Sequence, residues 1–136
     1  MVAPGHPLAE QSSALLAECV GYPLILPVAS MSIRGLLDDA FVRAAIPVPP
    51  AVEAGSTVLM RRLVMLGSGI ALLNPLDAID ELEAGTLLFV PLRDPALPLQ
   101  RLTLFARARG TLDSAAALMA ERIGGALKAL SGDARR

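Results

Sequence analysis

Residues 53–75, EAGSTVLMRRLVMLGSGIALLNP, predict a strand, a helix and a second strand in immediate succession. Ser56 and Thr57 can begin the helix, since their hydroxyls accept hydrogen bonds from the unpaired N–H groups of a first turn. Gly67 can end it in a left-handed conformation, and residues 70–73 are apolar on both faces, like a strand covered by helices on either side. A strand–helix–strand unit of this kind makes its two strands parallel.

Inside this helix, most apolar side chains fall on one stripe at helical spacing, which predicts the face that packs on the sheet. The predicted stripe consists of Val58, Leu59, Leu63, Val64 and Leu66, while Arg61 and Arg62 are expected on the solvent face.

Gly67 and Gly69 follow a helix and precede a strand, whereas a dinucleotide-binding turn has its glycines after a strand and before a helix. A nucleotide site is therefore not predicted here.

The remainder of the chain continues the alternation of strands and helices. In chain order, the pattern predicts a short helix around residues 15–19 capped by Ser12 or Ser13, a strand at 24–26, a helix at 33–45, a strand at 51–54, a helix from Pro75 to Ala84, strands at 86–92 and 102–107, a final helix at 113–130 and a disordered tail at 131–136. The acidic residues of the fourth helix, Asp77, Asp80, Glu81 and Glu83, are expected on a solvated face. This alternation predicts an α/β fold with a parallel or mixed sheet covered on both faces.

The composition fits one domain without a metal or disulfide framework. The chain has 136 residues, 54% of them apolar, and a net charge of −1, which provides no strong field for DNA or an anionic membrane. Cys19 is the one cysteine and is expected to be buried, and His6 is the one histidine, so no disulfide, zinc site or cofactor is predicted. No signal peptide and no apolar run of about 18 residues are recognised, so we expect a cytoplasmic protein.

Hydroxyl-bearing residues occur at two predicted helix starts, each of which follows a strand. Because the carboxyl ends of parallel strands lie at one edge, both loops should open on the edge where open α/β sheets bind ligands. Such helix starts suit a carboxylate or a similar anion, although a plain N-cap accounts for the same residues. The candidate residues are Ser30, Met31 and Ser32 in the first loop, Gly55, Ser56 and Thr57 in the second, and Asn74 on the same edge. Arg34 is interpreted as structural, paired with Asp38 one turn along the helix.

Several short motifs, in order and in register, resemble the effector-binding domain of LysR-type transcriptional regulators. These are His6-Pro7-Leu8-Ala9, Tyr22-Pro23-Leu24-Ile25, Arg34 with Leu37, Asp38 and Phe41, Val64 with Gly67, Gly69, Ile70 and Ala71, and Val90-Pro91-Leu92. No single motif is specific, but the resemblance extends from about residue 2 to residue 130.

The resemblance implies a periplasmic-binding-protein-like (type 2) fold, in which two α/β lobes enclose a small effector, and a winged helix-turn-helix that reads DNA. In this chain it implies the second lobe at residues 8–100 and a returning strand and helix at 101–130, with the first lobe largely missing. It also implies that effector contacts fall on the two helix-start loops, with Ser32 as the first choice. Asn74 could line the same edge.

The expected partner is a small-molecule effector, with no specific DNA binding by this fragment and no membrane. The final helix carries an apolar stripe of Leu112, Ala116, Met119, Ile123, Leu127 and Leu130, which the absent first lobe would cover in the family. We expect this helix to fold back on its own lobe or to be exchanged in a swapped homodimer.

A solute-binding module without a transcriptional role is the alternative function. A small α/β enzyme is a third possibility, disfavoured because no G-x-S-x-G elbow is present.

Overall fold

The computed structural model describes residues 1–47, 49–95, 97–98, 103–105 and 113–133, with the side chains of the last range up to residue 127. The chain divides into two compact units, Met1–Pro98 and Leu99–Arg136. Within the described residues, the first unit contains the sheet, and the second contains one long helix.

A three-stranded parallel sheet forms the centre of the first unit. β1 (Leu24–Pro27) lies between β2 (Val52–Ala54) and β3 (Ile70–Ala71). The aligned pairs are Ile25–Val52, Leu26–Glu53 and Pro27–Ala54 on one side of β1, and Leu24–Ile70 and Ile25–Ala71 on the other. The predicted parallel arrangement of these three strands is confirmed.

Helices connect the strands and cover both faces of the sheet. The α-helices of this unit are α1 (Leu16–Cys19), α2 (Ser32–Arg43), α3 (Thr57–Met65) and α4 (Ile79–Glu83), with 3-10 helices at Pro7–Glu10 and Pro75–Ala78. α2 connects β1 to β2, and α3 connects β2 to β3, so both are crossovers between parallel strands.

The apolar side chains form two clusters, one on each face of the sheet. Successive side chains of a strand point to opposite faces, so Leu24 and Leu26 pack in one cluster and Ile25 packs in the other. The first cluster takes Leu37, Ala40 and Phe41 from α2, and the second takes Met60 and Val64 from α3. The helices therefore lie on both faces, as the sequence predicts.

The close approach between β3 and β1 requires a glycine at position 69. Gly69 has a φ of 149°, and a Cβ atom added there would lie 2.2 Å from the carbonyl oxygen of Pro23. The N–H of the next residue, Ile70, donates to that same oxygen at 3.0 Å. A side chain at position 69 would therefore push apart the entries of two hydrogen-bonded strands.

The predicted orientation of α3 is wrong for most of its apolar residues. Met60 and Val64 are buried, whereas Val58, Leu59 and Leu66 are exposed, the last by 79%. The helix is apolar on almost all sides, so its sequence has no continuous polar face that would reveal the packed side.

Arg61 of α3, expected on the solvent face, is partly buried against the segment that follows β3. Its guanidinium donates to the carbonyl oxygen of Asp77, and its Nε lies 3.3 Å from Oε1 of Glu81. Both side chains of the ion pair are 20% exposed, so Glu81 does not belong to the solvated face predicted for it. Within the described structure, Arg61 Nε and Glu81 Oε2 are buried and have no hydrogen-bond partner.

The strand predicted at residues 86–92 is present only as two isolated bridges. Val2 pairs antiparallel with Leu88, and Ala14 pairs parallel with Leu92. This segment therefore holds the N-terminal residues in place without forming a continuous strand of its own.

The start of α1 is capped from a distant part of the chain, so the predicted cap by Ser12 or Ser13 is wrong. The N–H of Leu16 donates to Oδ2 of Asp94 at 2.7 Å, and the N–H of Leu15 donates to Oε2 of Glu18 at 2.6 Å. Carboxylates, which favour the positive end of a helix, replace the expected hydroxyls.

The α-amino group of Met1 is buried beside β3. It donates to the carbonyl oxygen of Ala71 at 2.8 Å, and the N–H of Ala71 donates back to the Met1 carbonyl at 3.1 Å. Burial disfavours the charged ammonium and lowers the pKa of this amine to about 6.

The described part of the second unit contains one long helix, α5 (Ser114–Asp133). Oδ1 of Asp113 accepts a hydrogen bond from the N–H of Ala116 at 2.7 Å at the helix start. The helix includes residues 131–133, which were expected to be disordered, and the last three residues of the chain lie outside the described part. Residues 103–105 are not in a strand, and the rest of the strand predicted at 102–107 lies outside the described residues.

Candidate functional site

Two loops leave the sheet side by side at the carboxyl ends of β1 and β2. Pro27 and Ala54 are aligned at these ends, and the N–H of Val28 donates to the carbonyl oxygen of Ala54 at 3.2 Å. A Cβ atom added to Gly55 would lie 3.7 Å from Cγ2 of Val28, so the loops touch where they begin. We refer to residues 28–32 and 55–57 as the rim loops. The prediction that both open on one edge of the sheet is confirmed.

The first rim loop presents its serines to solvent. Ser30 and Ser32 are exposed, and Met31 between them is half-buried. The N–H of Met31 donates to the carbonyl oxygen of Val28 at 3.0 Å, which closes a tight turn. Met31 occupies the N-cap of α2, and no side chain caps it. Ser32 is therefore the first residue of the helix rather than its cap.

The second rim loop has a conventional cap. Oγ of Ser56 accepts a hydrogen bond from the N–H of Leu59 at 3.4 Å, a long distance for such a bond. Gly55 and Ser56 are exposed, and Thr57 is half-buried as the first residue of α3. The alternative of a plain N-cap, weighed from the sequence, therefore describes Ser56 but does not describe Ser32.

Asn74 lies at the same edge of the sheet, on the other side of β1. β3 runs parallel to β1, and Asn74 follows it by three residues, so it also lies beyond the carboxyl ends of the strands. Its Oδ1 accepts a hydrogen bond from the N–H of Leu76 at 2.9 Å and caps the 3-10 helix that follows. The structure thus brings six of the seven candidate residues together on the two adjacent rim loops and leaves Asn74 across the central strand.

Arg34 forms hydrogen bonds with residues that precede both rim loops. Arg34 Nε donates to Oδ1 of Asp38 at 2.7 Å, which confirms the predicted pair. One of its terminal nitrogens also donates to the carbonyl oxygen of Pro27 at 2.8 Å and to Oε1 of Glu53 at 2.5 Å. These bonds to two carboxylates raise the pKa of Arg34 above its ordinary value.

Sequence reasoning missed the contacts of Arg34 with Glu53 and Pro27. A signal was available, because Glu53 stands one residue before the end of its strand and Arg34 stands in the first turn of the helix that follows the neighbouring strand. Parallel pairing brings such positions together, and their opposite charges favour contact.

His6 and Cys19 have local structural roles away from the rim loops. Nδ1 of His6 accepts a hydrogen bond from the N–H of Leu8 at 3.1 Å, and the imidazole meets the ring of Tyr22 edge-on at 4.4 Å between centroids. Burial is the main cause that lowers the pKa of His6, and burial raises the pKa of the Cys19 thiol to about 11. Across the described residues, no group of three His, Cys, Asp or Glu side chains could hold a metal ion.

The fold and its paired rim loops are those of an α/β domain of the ligand-binding class. Comparison with known families identifies the family within that class. The LysR substrate binding domain family matches residues 1–128, so the chain belongs to that family, whose fold is periplasmic-binding-protein-like of type 2. The domain is one of transcription regulators rather than of an enzyme class.

A curated relative agrees with this family. The HTH-type transcriptional regulator BbuR of Bordetella bronchiseptica (strain ATCC BAA-588 / NCTC 13252 / RB50) is 34% identical over 89 residues. The match covers 65% of this chain and 27% of the relative, so the matched segment spans about a quarter of that regulator's length. In the described part of the chain, no helix combines the length and the apolar character that a membrane crossing requires.

Proposed function

We propose that the chain is the effector-sensing part of a LysR-type transcription regulator and that a small, anionic metabolite binds at its rim loops. The observation that carries this proposal is the placement of two helix starts, both rich in hydroxyls, beside each other at one edge of a parallel sheet. Family membership and the relative's name support the regulatory role.

The chemistry of the rim loops favours an anion. The N–H groups at a helix start and the positive end of the helix dipole attract negative charge, and α2 and α3 each contribute one such start. The hydroxyls of Ser30, Ser32 and Ser56 add adaptable donors on the exposed surface. A carboxylate of a small metabolite is the simplest group that uses both sets of donors.

We further propose how the chain divides between the two lobes of the family's domain. Residues 8–100 correspond to the second lobe, and residues 101–130 correspond to the strand and helix that return to the first. The effector would then lie between the rim loops and the other lobe, and DNA would be bound by a winged helix-turn-helix outside this chain. We expect the location to be cytoplasmic, because a regulator of transcription acts where the DNA is.

Nuclear magnetic resonance titration of the chain tests the effector site. Acetate, benzoate and succinate should shift the backbone amide signals of residues 32–33 and 56–58, with weak affinity because one wall of the pocket is absent. The neutral amides acetamide and benzamide should leave these signals in place. Ser32→Ala and Ser56→Ala should weaken the response, whereas Ser68→Ala, an exposed serine at the opposite end of α3, is the matched control. Carboxylate-induced shifts confined to other regions would contradict the proposal.

The chain should not bind DNA with sequence specificity, because its net charge of −1 supplies no net attraction to the phosphate backbone. Fluorescence anisotropy with operator-length duplexes should show no binding that depends on sequence. Tight, salt-sensitive binding to one sequence over a scrambled duplex would contradict this expectation.

We propose that the apolar side chains of α5 are covered by a second copy of the chain in a homodimer. Leu118, Met119 and Ile123 are exposed on this helix, and exposed apolar patches commonly mark interaction surfaces. Light scattering coupled to size-exclusion chromatography should report a dimer, and Met119→Glu should shift it toward monomer. A folded monomer at all concentrations would exclude the swapped form.

A further inference from the structure

The side chain of Arg34 makes contact with three separate parts of the first unit. Although it belongs to the first turn of α2, only 14% of it is exposed. It bonds to Asp38 on its own helix, to the last carbonyl of β1 at Pro27 and to Glu53 in β2. Pro27 stands immediately before the first rim loop, and Glu53 stands two residues before the second.

The geometry of these bonds fixes the starts of the two rim loops relative to each other. A guanidinium is planar and presents its donors in a fixed fork, so its acceptors must keep a fixed arrangement around it. Pro27 fixes the start of the first rim loop, and Glu53 lies two residues before the second. The hydrogen bond from Val28 to Ala54 crosses between the same two places and closes the ring of contacts.

We propose that Arg34 is a positioning residue that locks the two rim loops into one rigid unit. A ligand held by one loop therefore meets the other loop already in place, which avoids the entropic cost of ordering it at the moment of binding. This inference rests on the proposed function for its biological meaning, but the locking itself is a property of the unliganded chain.

Amide hydrogen exchange measures the locking directly. The Val28 amide, whose hydrogen bond joins the loops, is the reporter, and the Ile70 amide, which bonds to Pro23 at the opposite end of the sheet, is the internal reference. Arg34→Met should speed exchange at Val28 by about tenfold or more, as expected for losing charge-assisted hydrogen bonds, and leave Ile70 within about twofold. Glu53→Ala should act in the same direction from a side chain that is 45% exposed, where a folding defect is not expected.

A second ion pair in α2 provides the matched control. Arg43 pairs with Asp39 at 3.8 Å near the other end of the helix, and both side chains are mostly exposed. Arg43→Met should leave the Val28 amide unchanged. Equal acceleration at Val28 and Ile70 in the Arg34 and Glu53 variants would indicate a general loss of stability and overturn the locking, as would an unchanged Val28.

The acetate and benzoate titrations separate this inference from the proposed function. If Arg34 locks the loops and the rim binds carboxylates, then Arg34→Met and Glu53→Ala should both weaken the shifts of residues 32–33 and 56–58. If the unmodified chain shows no carboxylate response while Val28 exchange rises in the variants, then the proposed ligand fails and the locking stands. If the chain binds carboxylates and the variants change neither exchange nor affinity, then the locking fails and the ligand stands.

Discussion

The two crossovers of the sheet are stabilised in opposite ways. α2 presents a mostly polar outer face on which Val42 is the exposed large apolar residue, and Arg34 bonds its first turn to the neighbouring strands. α3 is apolar on both its buried and its outer side, and the chain after it passes so close to β1 that Gly69 leaves no room for a side chain. The first crossover can therefore change its polar contacts without opening the core, whereas the second depends on close packing.

Substituting a glycine by alanine in each crossover should give the largest difference in stability between the two. Gly69→Ala should destabilise the fold by at least about 3 kcal/mol, because the Cβ atom meets the Pro23 carbonyl and the backbone is strained. Gly35→Ala, in α2 with nothing within 4 Å of the added Cβ, should stabilise it by about 0.5–1 kcal/mol. Urea unfolding followed by circular dichroism measures both changes. A tolerated alanine at position 69 would mean that β1 and β3 can move apart without loss.

Removing one partner of the Arg61–Glu81 ion pair should destabilise the fold more than replacing both partners by apolar residues. Arg61→Met or Glu81→Leu alone should each destabilise the fold by about 2 kcal/mol, because each leaves a partly buried charge without its partner. The double variant should recover most of that loss. A double-mutant cycle from urea unfolding gives the coupling, and strictly additive effects would show that the two charges act independently.

The buried amine beside β3 should make stability depend on pH. Its pKa is about 6 in the folded chain against 8.0 for an ordinary terminal amine, so the unfolded chain binds a proton more readily between these values. The free energy of unfolding should therefore rise by roughly 2 kcal/mol from pH 6 to pH 8, and this contribution is lost as the pH falls through 6. A chain extended by residues before Met1 has an amide there and serves as the control. Identical pH profiles for the two chains would contradict the assignment.

The two helix starts should respond differently to removal of a hydroxyl. Ser56→Ala removes the cap of α3 and should cost about 0.5–1 kcal/mol, toward the lower end because the bond is 3.4 Å long. Ser32→Ala removes no cap from α2 and should change stability by less than about 0.5 kcal/mol. Thermal unfolding resolves the difference, and a larger effect at Ser32 would reverse the assignment of caps.

The parts of the fold that follow from local pattern were predictable, and those that depend on distant contacts were not. In α2 the apolar residues recur at helical spacing, and three of them, Leu37, Ala40 and Phe41, are buried. α3 has apolar residues on nearly every side, so periodicity could not select Met60 over Leu59. The pairing of Arg61 with Glu81 depends on how the chain returns after β3, and no local rule contains that information.

The placement of the candidate site was predictable for a topological reason. Two crossovers between parallel strands bring both following loops to one edge, whatever the side chains are. The residue that caps each helix was harder to predict, because Ser32 is the first residue of its helix and Ser56 stands one position before its helix. The opposite charges of Arg34 and Glu53 were visible in the sequence, but their contact also depends on which strands pair and in which register, which spacing alone does not supply.

The hydrogen bond from Leu16 to Asp94 has a consequence for the order of folding. Because donor and acceptor are 78 positions apart, α1 has only its local bond to Glu18 until the chain has been synthesised well past the sheet. Contacts of such long range form late and slow the folding reaction, since the intervening loop must first be closed. We expect the segment that contains α1 to become protected after the sheet, although it is synthesised before the sheet.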